Sequence, residues 1–203
     1  MTSSNELLQH QLETGAVPID ECAAPLQERA VCHPPVAHFG DAVAEYRAAQ
    51  ESAALFDVSD RVQIEVSGKD AQSFLHKFCT NDINRLQPGS GCEAFITSVK
   101  GRILAHVYAF LTEDAVWIDS PATNETSLLE HFDRYLFSED VSLQGRTETF
   151  GDLYLSGAQC VEPLTALGIA VESLSEMQHT LGTVEGLSVF VRRVDFWGQP
   201  GFM

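Results

Sequence analysis

The sequence predicts an α+β fold in which antiparallel or mixed sheets are flanked by helices. Three observations carry that prediction. Val62–Gln63–Ile64–Glu65–Val66 alternates with period two, the pattern of a strand with one buried and one wet face. Ala71, Phe74, Leu75 and Phe78 follow at i, i+3, i+4 and i+7, the apolar stripe of an amphipathic helix. Residues 92–98, 102–111 and 115–119 then read as three strands joined by short turns, the first at Lys100–Gly101, which makes an antiparallel meander. Strand, helix, three strands, helix, strand is an order of segregated layers, not the alternation of a doubly wound parallel sheet.

The remaining elements follow in chain order. Residues 4–13 read as a short helix. Residues 14–36 hold Pro18, Pro25, Pro34 and Pro35 with little periodicity, an extended, loop-rich lead-in. Asp41 to Ser52 is Ala-rich and helical in spacing, and Ala54 to Val58 is a short apolar strand. Ser67 is the expected N-cap of the next helix, with Asp70 three positions on. Pro88-Gly89-Ser90-Gly91 turns the chain. Ala122 to Phe137 reads as a second helix, capped by Thr123, with Leu128, Phe132, Tyr135 and Leu136 on one face. Strands at 140–143 and 152–156, a helix at 158–167 ending near Gly168, and a hairpin near 180–185 and 187–194 complete the chain.

Composition narrows the function. Among 203 residues there are 12 Lys or Arg and 29 Asp or Glu, a formal net charge of −17. That balance argues against a general nucleic-acid binder and against a polybasic membrane-surface protein. No run approaches the ~18 apolar residues of a membrane span. Met1 to Ala16 lacks the basic flank and apolar core of a secretory signal. The cysteines at 22, 32, 79, 92 and 160 contain no CxxC pair and read as reduced thiols of a cytoplasmic protein. The seven histidines form neither HExxH nor HxH, so no metal site is offered, and no glycine-rich phosphate cradle is present. Charge is uneven: residues 61–102 hold six basic residues (Arg61, Lys69, Lys77, Arg85, Lys100, Arg102) against four acids, a stretch suited to an anionic small ligand.

Several motifs occur in a telling order. They are Leu55-Phe56-Asp57-Val58-Ser59, the strand Val62–Val66, Gly68-x-Asp70-Ala71, Phe74-Leu75 and Thr80-Asn81-Asp82. Next come Pro88-Gly89, Lys100-Gly101-Arg102-Ile103-Leu104, Leu153-Tyr154-Leu155-Ser156-Gly157 and Phe196-Trp197-Gly198-Gln199-Pro200-Gly201-Phe202. Together, over roughly residues 38 to 203, they resemble the glycine cleavage T-protein superfamily. This comprises the aminomethyltransferases and their folate-binding relatives, including the YgfZ-type proteins linked to iron–sulfur cluster maintenance.

The resemblance implies a tetrahydrofolate cofactor in a central cleft, with one carboxylate near the reacting nitrogen and another on the pterin. Adjacent N–H donors of a pterin edge suit a bidentate carboxylate, and moving a one-carbon unit between nitrogens needs a group that relays a proton or stabilises positive charge. The sequence departs from the family at both places. A pair of aspartates is matched by Ala105 and His106, and alanine relays nothing, while histidine carries a proton near neutral pH but is never anionic. The family's pterin-edge glutamate is matched by Gln199. Asp119-Ser120-Pro121 matches a strand-end loop beside the cleft, which makes Asp119 a replacement acid. The implied site is therefore His106 and Asp119 as catalytic groups, with Gln199, Ser120, Lys100 and Arg102 binding the cofactor. Lys100 or Arg102 would sit towards the anionic tail, and the stretch 61–102 and the turn at 198–201 would face one cleft.

Relatives continue beyond the segment in which this chain stops, at Met203. The expected organisation is a lead-in over residues 1–37 and a folate-binding region over 38–203, without the family's C-terminal part and barrel domain. The reading that follows is a tetrahydrofolate-binding, YgfZ-like protein lacking the usual catalytic aspartate. Its alternatives are an active aminomethyltransferase and a folate-free interaction module of the same fold. Partners implied are the folate itself and a lipoyl-carrier or iron–sulfur protein, with no nucleic acid and no membrane.

Overall fold

The computed structural model describes residues 4–18, 36–121, 125–196 and 198–203. In chain order the first elements are α1 (Ser4–Glu13), β1 (Val17–Pro18), β2 (Val36–His38), α2 (Ala42–Glu51), β3 (Ala54–Asp57), β4 (Val62–Ser67), α3 (Ala71–His76), β5 (Ser90–Thr97) and β6 (Ile103–Leu111). Then come β7 (Ala115–Ser120), α4 (Glu125–Asp133), β8 (Ser142–Gly145), β9 (Leu153–Ser156), α5 (Val161–Ala166), β10 (His179–Val184), β11 (Leu187–Arg192) and β12 (Gly201–Phe202). The α+β class holds, and the paired strands are all antiparallel. No helix among the described residues is long and apolar enough to cross a membrane. The described residues form two compact units. One is built from residues 4–18, 36–59 and 149–203, and the other from residues 60–148.

The unit over residues 60–148 is a five-stranded sheet in the order β5-β6-β7-β4-β8. The β5–β6–β7 meander stands as expected, with the first turn closed by Ser98 N–H on the Arg102 carbonyl at 2.9 Å. Helices α3 and α4 give the sheet its core. Phe74 and Leu75 of α3 and Leu128 and Phe132 of α4 are buried with Val62, Ile64 and Val66 of β4 and with Val107, Ala109, Val116 and Ile118 of β6 and β7. Phe78 sits edge-on to Phe74 at 5.1 Å and to Phe132 at 5.6 Å. Each large apolar side chain buried this way stabilises the fold by roughly 1.5–3 kcal/mol.

Three expectations change here. The side of β4 expected to be wet is not: Gln63 is buried and Glu65 half-buried. The reason is that this face is covered by polar partners: the Gln63 amide donates to the buried Asp119 carboxylate at 2.5 Å, and Glu65 accepts from Arg146 Nε at 2.8 Å. Ser67 does not cap α3, because it is spent in the sheet, paired with Ala115 and Ser142. The chain turns instead at Gly68 (φ +107), where a Cβ would run into the Asp140 carbonyl, and Asp70 occupies the cap position. Its carboxylate accepts from the Asp140 amide at 2.9 Å and makes no cap bond. Finally, α4 stops at Asp133: Tyr135 and Leu136 bond carbonyls only three residues back, tightening the last turn, and Phe137 is left exposed. Thr123 lies outside the described residues.

The other unit pairs β12, β9 and β3 in that order and carries the β10–β11 hairpin. The hairpin turn is Glu185-Gly186, both at positive φ (50° and 84°), the two-residue form whose twist matches the strands. Cys160, Ile169, Val171, Val191 and Phe202 form its core. The two-residue β12 was not foreseen. It exists because Gly201 lies against Tyr154 so closely that any Cβ would strike the phenol. Tyr154 is buried and donates to the Val194 carbonyl at 3.0 Å. Arg192, 1% exposed, is paired with Asp152 at 3.2 Å.

His179 gives this unit a pH dependence. It is buried, edge-on to Phe190 at 4.8 Å, and burial followed by the Arg192 charge pushes its imidazole down to about 4. The unfolded chain takes up this proton near 6.5, so between about pH 6.5 and 4 the unfolded state binds more protons. Stability therefore falls as pH drops through that window, by on the order of 2–3 kcal/mol from this group. Urea denaturation at about pH 7.5 and about pH 4.5 should show the loss in the wild type and a smaller loss in His179→Gln.

Candidate functional site

The sheet of residues 60–148 packs its main apolar core on one face, and its other face mixes aromatic with polar side chains, Phe110 and Trp117 standing beside His106 and Tyr108. Side chains alternate along a strand, so Ala105, Val107 and Ala109 of β6 enter the core while His106 and Tyr108 take the opposite face. Register carries that face across four strands: Glu93 stands opposite Tyr108, Tyr108 opposite Asp119, and Asp119 opposite Gln63.

Asp119, fully buried, is the centre of this polar row. Its Oδ1 accepts from Arg61 Nε at 2.6 Å and also from Arg61 Nη2, and its Oδ2 accepts from Gln63 Nε2 at 2.5 Å. The Arg61 guanidinium lies 5.6 Å from the centre of the Tyr108 ring. A carboxylate out of water is tolerable only with such partners, since an unpaired buried charge is costly. Gln63 is held in turn through its backbone N–H, which donates to Thr147 Oγ1 at 3.1 Å.

His106 lies beside this group. Its ring is 5.2 Å from Phe95 and 5.0 Å from Tyr108, and its Nε2 is 2.6 Å from Glu93 Oε1. The Ser120 hydroxyl donates to the His106 carbonyl at 2.7 Å, which ties the end of β7 to β6. His106, Asp119 and Ser120 are thus brought together on neighbouring strands. Asp119 and Ser120 are the last residues of β7, which runs one residue beyond the expected strand over 115–119, and the ladder to Val62 and Gln63 passes through both. Lys100 and Arg102 are exposed on the β5–β6 turn. Gln199 is half-buried just before β12, in the other unit.

Ala105 and His106 are not equivalent positions. Ala105 is buried among core residues, so only the His106 position presents a group to the polar face. Sequence reasoning missed Arg61 and Gln63 as members of this site, and also Glu93. Gln63 left one signal, an amide in a strand otherwise flanked by valine and isoleucine. Among the described residues no group of three or more His, Cys, Asp or Glu is arranged for a metal. Burial, and then Cys92, pushes Cys79 up to about 12, and burial, then the Asp82 charge, pushes Cys92 up to about 11, so neither is a thiolate at neutral pH. Cys22 and Cys32 lie outside the described residues.

The family model of the GCVT N-terminal domain matches residues 23–202. The chain belongs to that family. A probable aminomethyltransferase of Natronomonas pharaonis is 30% identical over 161 residues, covering 77% of this chain and 45% of the relative. An aminomethyltransferase of Desulforamulus reducens is 28% identical over 161 residues, covering 79% and 44%. This GCVT-family chain spans a little under half the length of these curated relatives. The crystal structure of glycine cleavage system aminomethyltransferase T from Bartonella henselae superposes with a TM-score of 0.79 at 20% identity, covering 97% of this chain and 51% of that one, a likeness of fold.

Proposed function

We propose that this GCVT-family chain binds tetrahydrofolate without transferring its one-carbon unit, in the manner of the YgfZ-type relatives. One observation carries the reading: His106, with Glu93 as its partner, stands on the polar face of β6 where the resemblance gives an aspartate. An imidazole, neutral or cationic, does not offset positive charge developing on a reacting nitrogen. Asp119 is not free to take over, because its two oxygens already hold Arg61 and Gln63. By this reading Asp119 organises the polar row, Ser120 fixes the His106 backbone, and Gln199 meets the pterin edge as an amide. Lys100 or Arg102 faces the anionic tail, and the protein partner is a lipoyl-carrier or an iron–sulfur protein.

A neutral amide in place of a carboxylate should weaken folate binding by roughly 1 kcal/mol, about fivefold. Calorimetry with 5-formyl-tetrahydrofolate should show weak binding by the wild type and about fivefold tighter binding by Gln199→Glu. If neither protein binds, the folate reading fails and the interaction-module reading replaces it. An assay with tetrahydrofolate and a lipoyl-carrier protein should show no transfer. Turnover that disappears in His106→Ala would establish the transferase reading, which the 2.6 Å contact between Glu93 and His106 favours as a proton relay.

A further inference from the structure

The ladder between β4 and β8 stops just short of the polar row. Ser142 to Gly145 pair with Ser67 back to Ile64. One step on, the Arg146 amide still donates to the Gln63 carbonyl at 2.8 Å, but the Gln63 N–H is met by a side chain, the Thr147 hydroxyl at 3.1 Å. Thr147 is buried and is held in turn by Glu125, the first residue of α4. Its hydroxyl donates to Glu125 Oε2, and its amide donates to the same oxygen at 3.2 Å.

Chemistry gives this chain of bonds one direction. A carboxylate only accepts, and a threonine hydroxyl has a single hydrogen to give. With that hydrogen on Glu125, the Thr147 oxygen has only lone pairs left, and it accepts from Gln63. The Gln63 side chain donates from Nε2 to Asp119 Oδ2 at 2.5 Å, while Arg61 Nε holds Oδ1 at 2.6 Å. Glu125, Thr147, Gln63 and Asp119 thus form one connected line from the start of α4 to the centre of the polar row, all within the unit of residues 60–148.

Two further observations mark the Glu125 position as built. Among the described residues Glu125 has no ion pair, so its half-buried carboxylate serves Thr147 and not a cation. Gly145, the last residue of β8, lies where any Cβ would strike that carboxylate.

We infer that Glu125, acting through Thr147, is a positioning residue of the polar row: it sets the Gln63 amide on Asp119 and so holds the row in its ligand-binding form. The identity of the ligand rests on the folate reading, whereas the positioning is read from Gln63 without any ligand.

The full chain should be labelled with nitrogen-15, its Gln63 backbone and side-chain amide resonances followed, and 5-formyl-tetrahydrofolate titrated by calorimetry. Glu125→Ala should shift both Gln63 resonances and weaken folate binding about fivefold, the worth of one hydrogen bond. Glu125→Gln, which keeps an accepting oxygen, should restore most of both. Thr147→Val should reproduce Glu125→Ala, and Thr147→Ser should stay near the wild type. Leu75→Ala, a core truncation in α3 away from this line, should lower the urea midpoint yet leave the Gln63 side-chain resonance and the affinity of the folded protein unchanged, which separates positioning from stability. Unmoved Gln63 resonances in Glu125→Ala overturn the inference, as does full folate affinity in that variant. Absence of folate binding by the wild type overturns the folate reading instead, and the Gln63 resonances then decide the positioning role by themselves.

Discussion

Phe132→Ala will lower the unfolding free energy by about 3–5 kcal/mol. The side chain is fully buried, and its ring packs edge-on to Phe74 at 6.3 Å and to Phe78 at 5.6 Å. These three aromatics come from α4, α3 and the segment just after α3, so the deletion leaves a cavity where both helices meet the sheet. A nine-residue helix such as α4 has little stability of its own and depends on that contact. The expected signature is a lower urea midpoint with an unchanged slope. Phe137→Ala, the same substitution at an exposed position, should stay within about 0.5 kcal/mol. Equal effects at both positions would refute the packing described for α4.

Arg61→Met should cost about as much, about 3–5 kcal/mol, through charge and not cavity. It takes away the guanidinium that offsets the fully buried Asp119 carboxylate. Asp119→Asn should cost less, because the amide oxygen still accepts from Arg61. The double variant should be more stable than the sum of the two single losses implies, since no carboxylate is then left without its cation. Additive losses would mean that the two side chains do not act as a pair. The same cycle separates fold from ligand: if Asp119 serves only to organise the polar row, folate affinity in Asp119→Asn should follow stability and show no loss of its own.

How much of this was legible in the sequence depended on the range of each interaction. The β5–β6–β7 meander was readable because its turns are local, and α3 and α4 were readable because Phe74, Leu75, Leu128 and Phe132 repeat at helical spacing. The insertion of β4 between β7 and β8 is written in no local pattern. Ile64 pairs with Ile118 and Gly145, partners far along the chain. From that gap came the misreading of Gln63 as a wet residue, when register sets it opposite the buried Asp119. His106 was found through the resemblance alone. Its partner Glu93 lies two residues before His106's opposite number Phe95 and needs the β5–β6 register to be seen.

The discontinuous unit has a consequence for how the protein is made. β3 ends at Asp57, but the strand it pairs with, β9, begins at Leu153, roughly a hundred residues later. At ~5–20 residues per second a ribosome delivers that partner roughly 5–20 s after β3 has emerged. During the wait the strands of the 60–148 sheet emerge in turn, the last of them, β8, only just before β9, while Leu55 and Phe56 remain an unsatisfied edge. Closure of the interrupted unit is thus timed by the arrival of Leu153–Ser156, not by its own first strand.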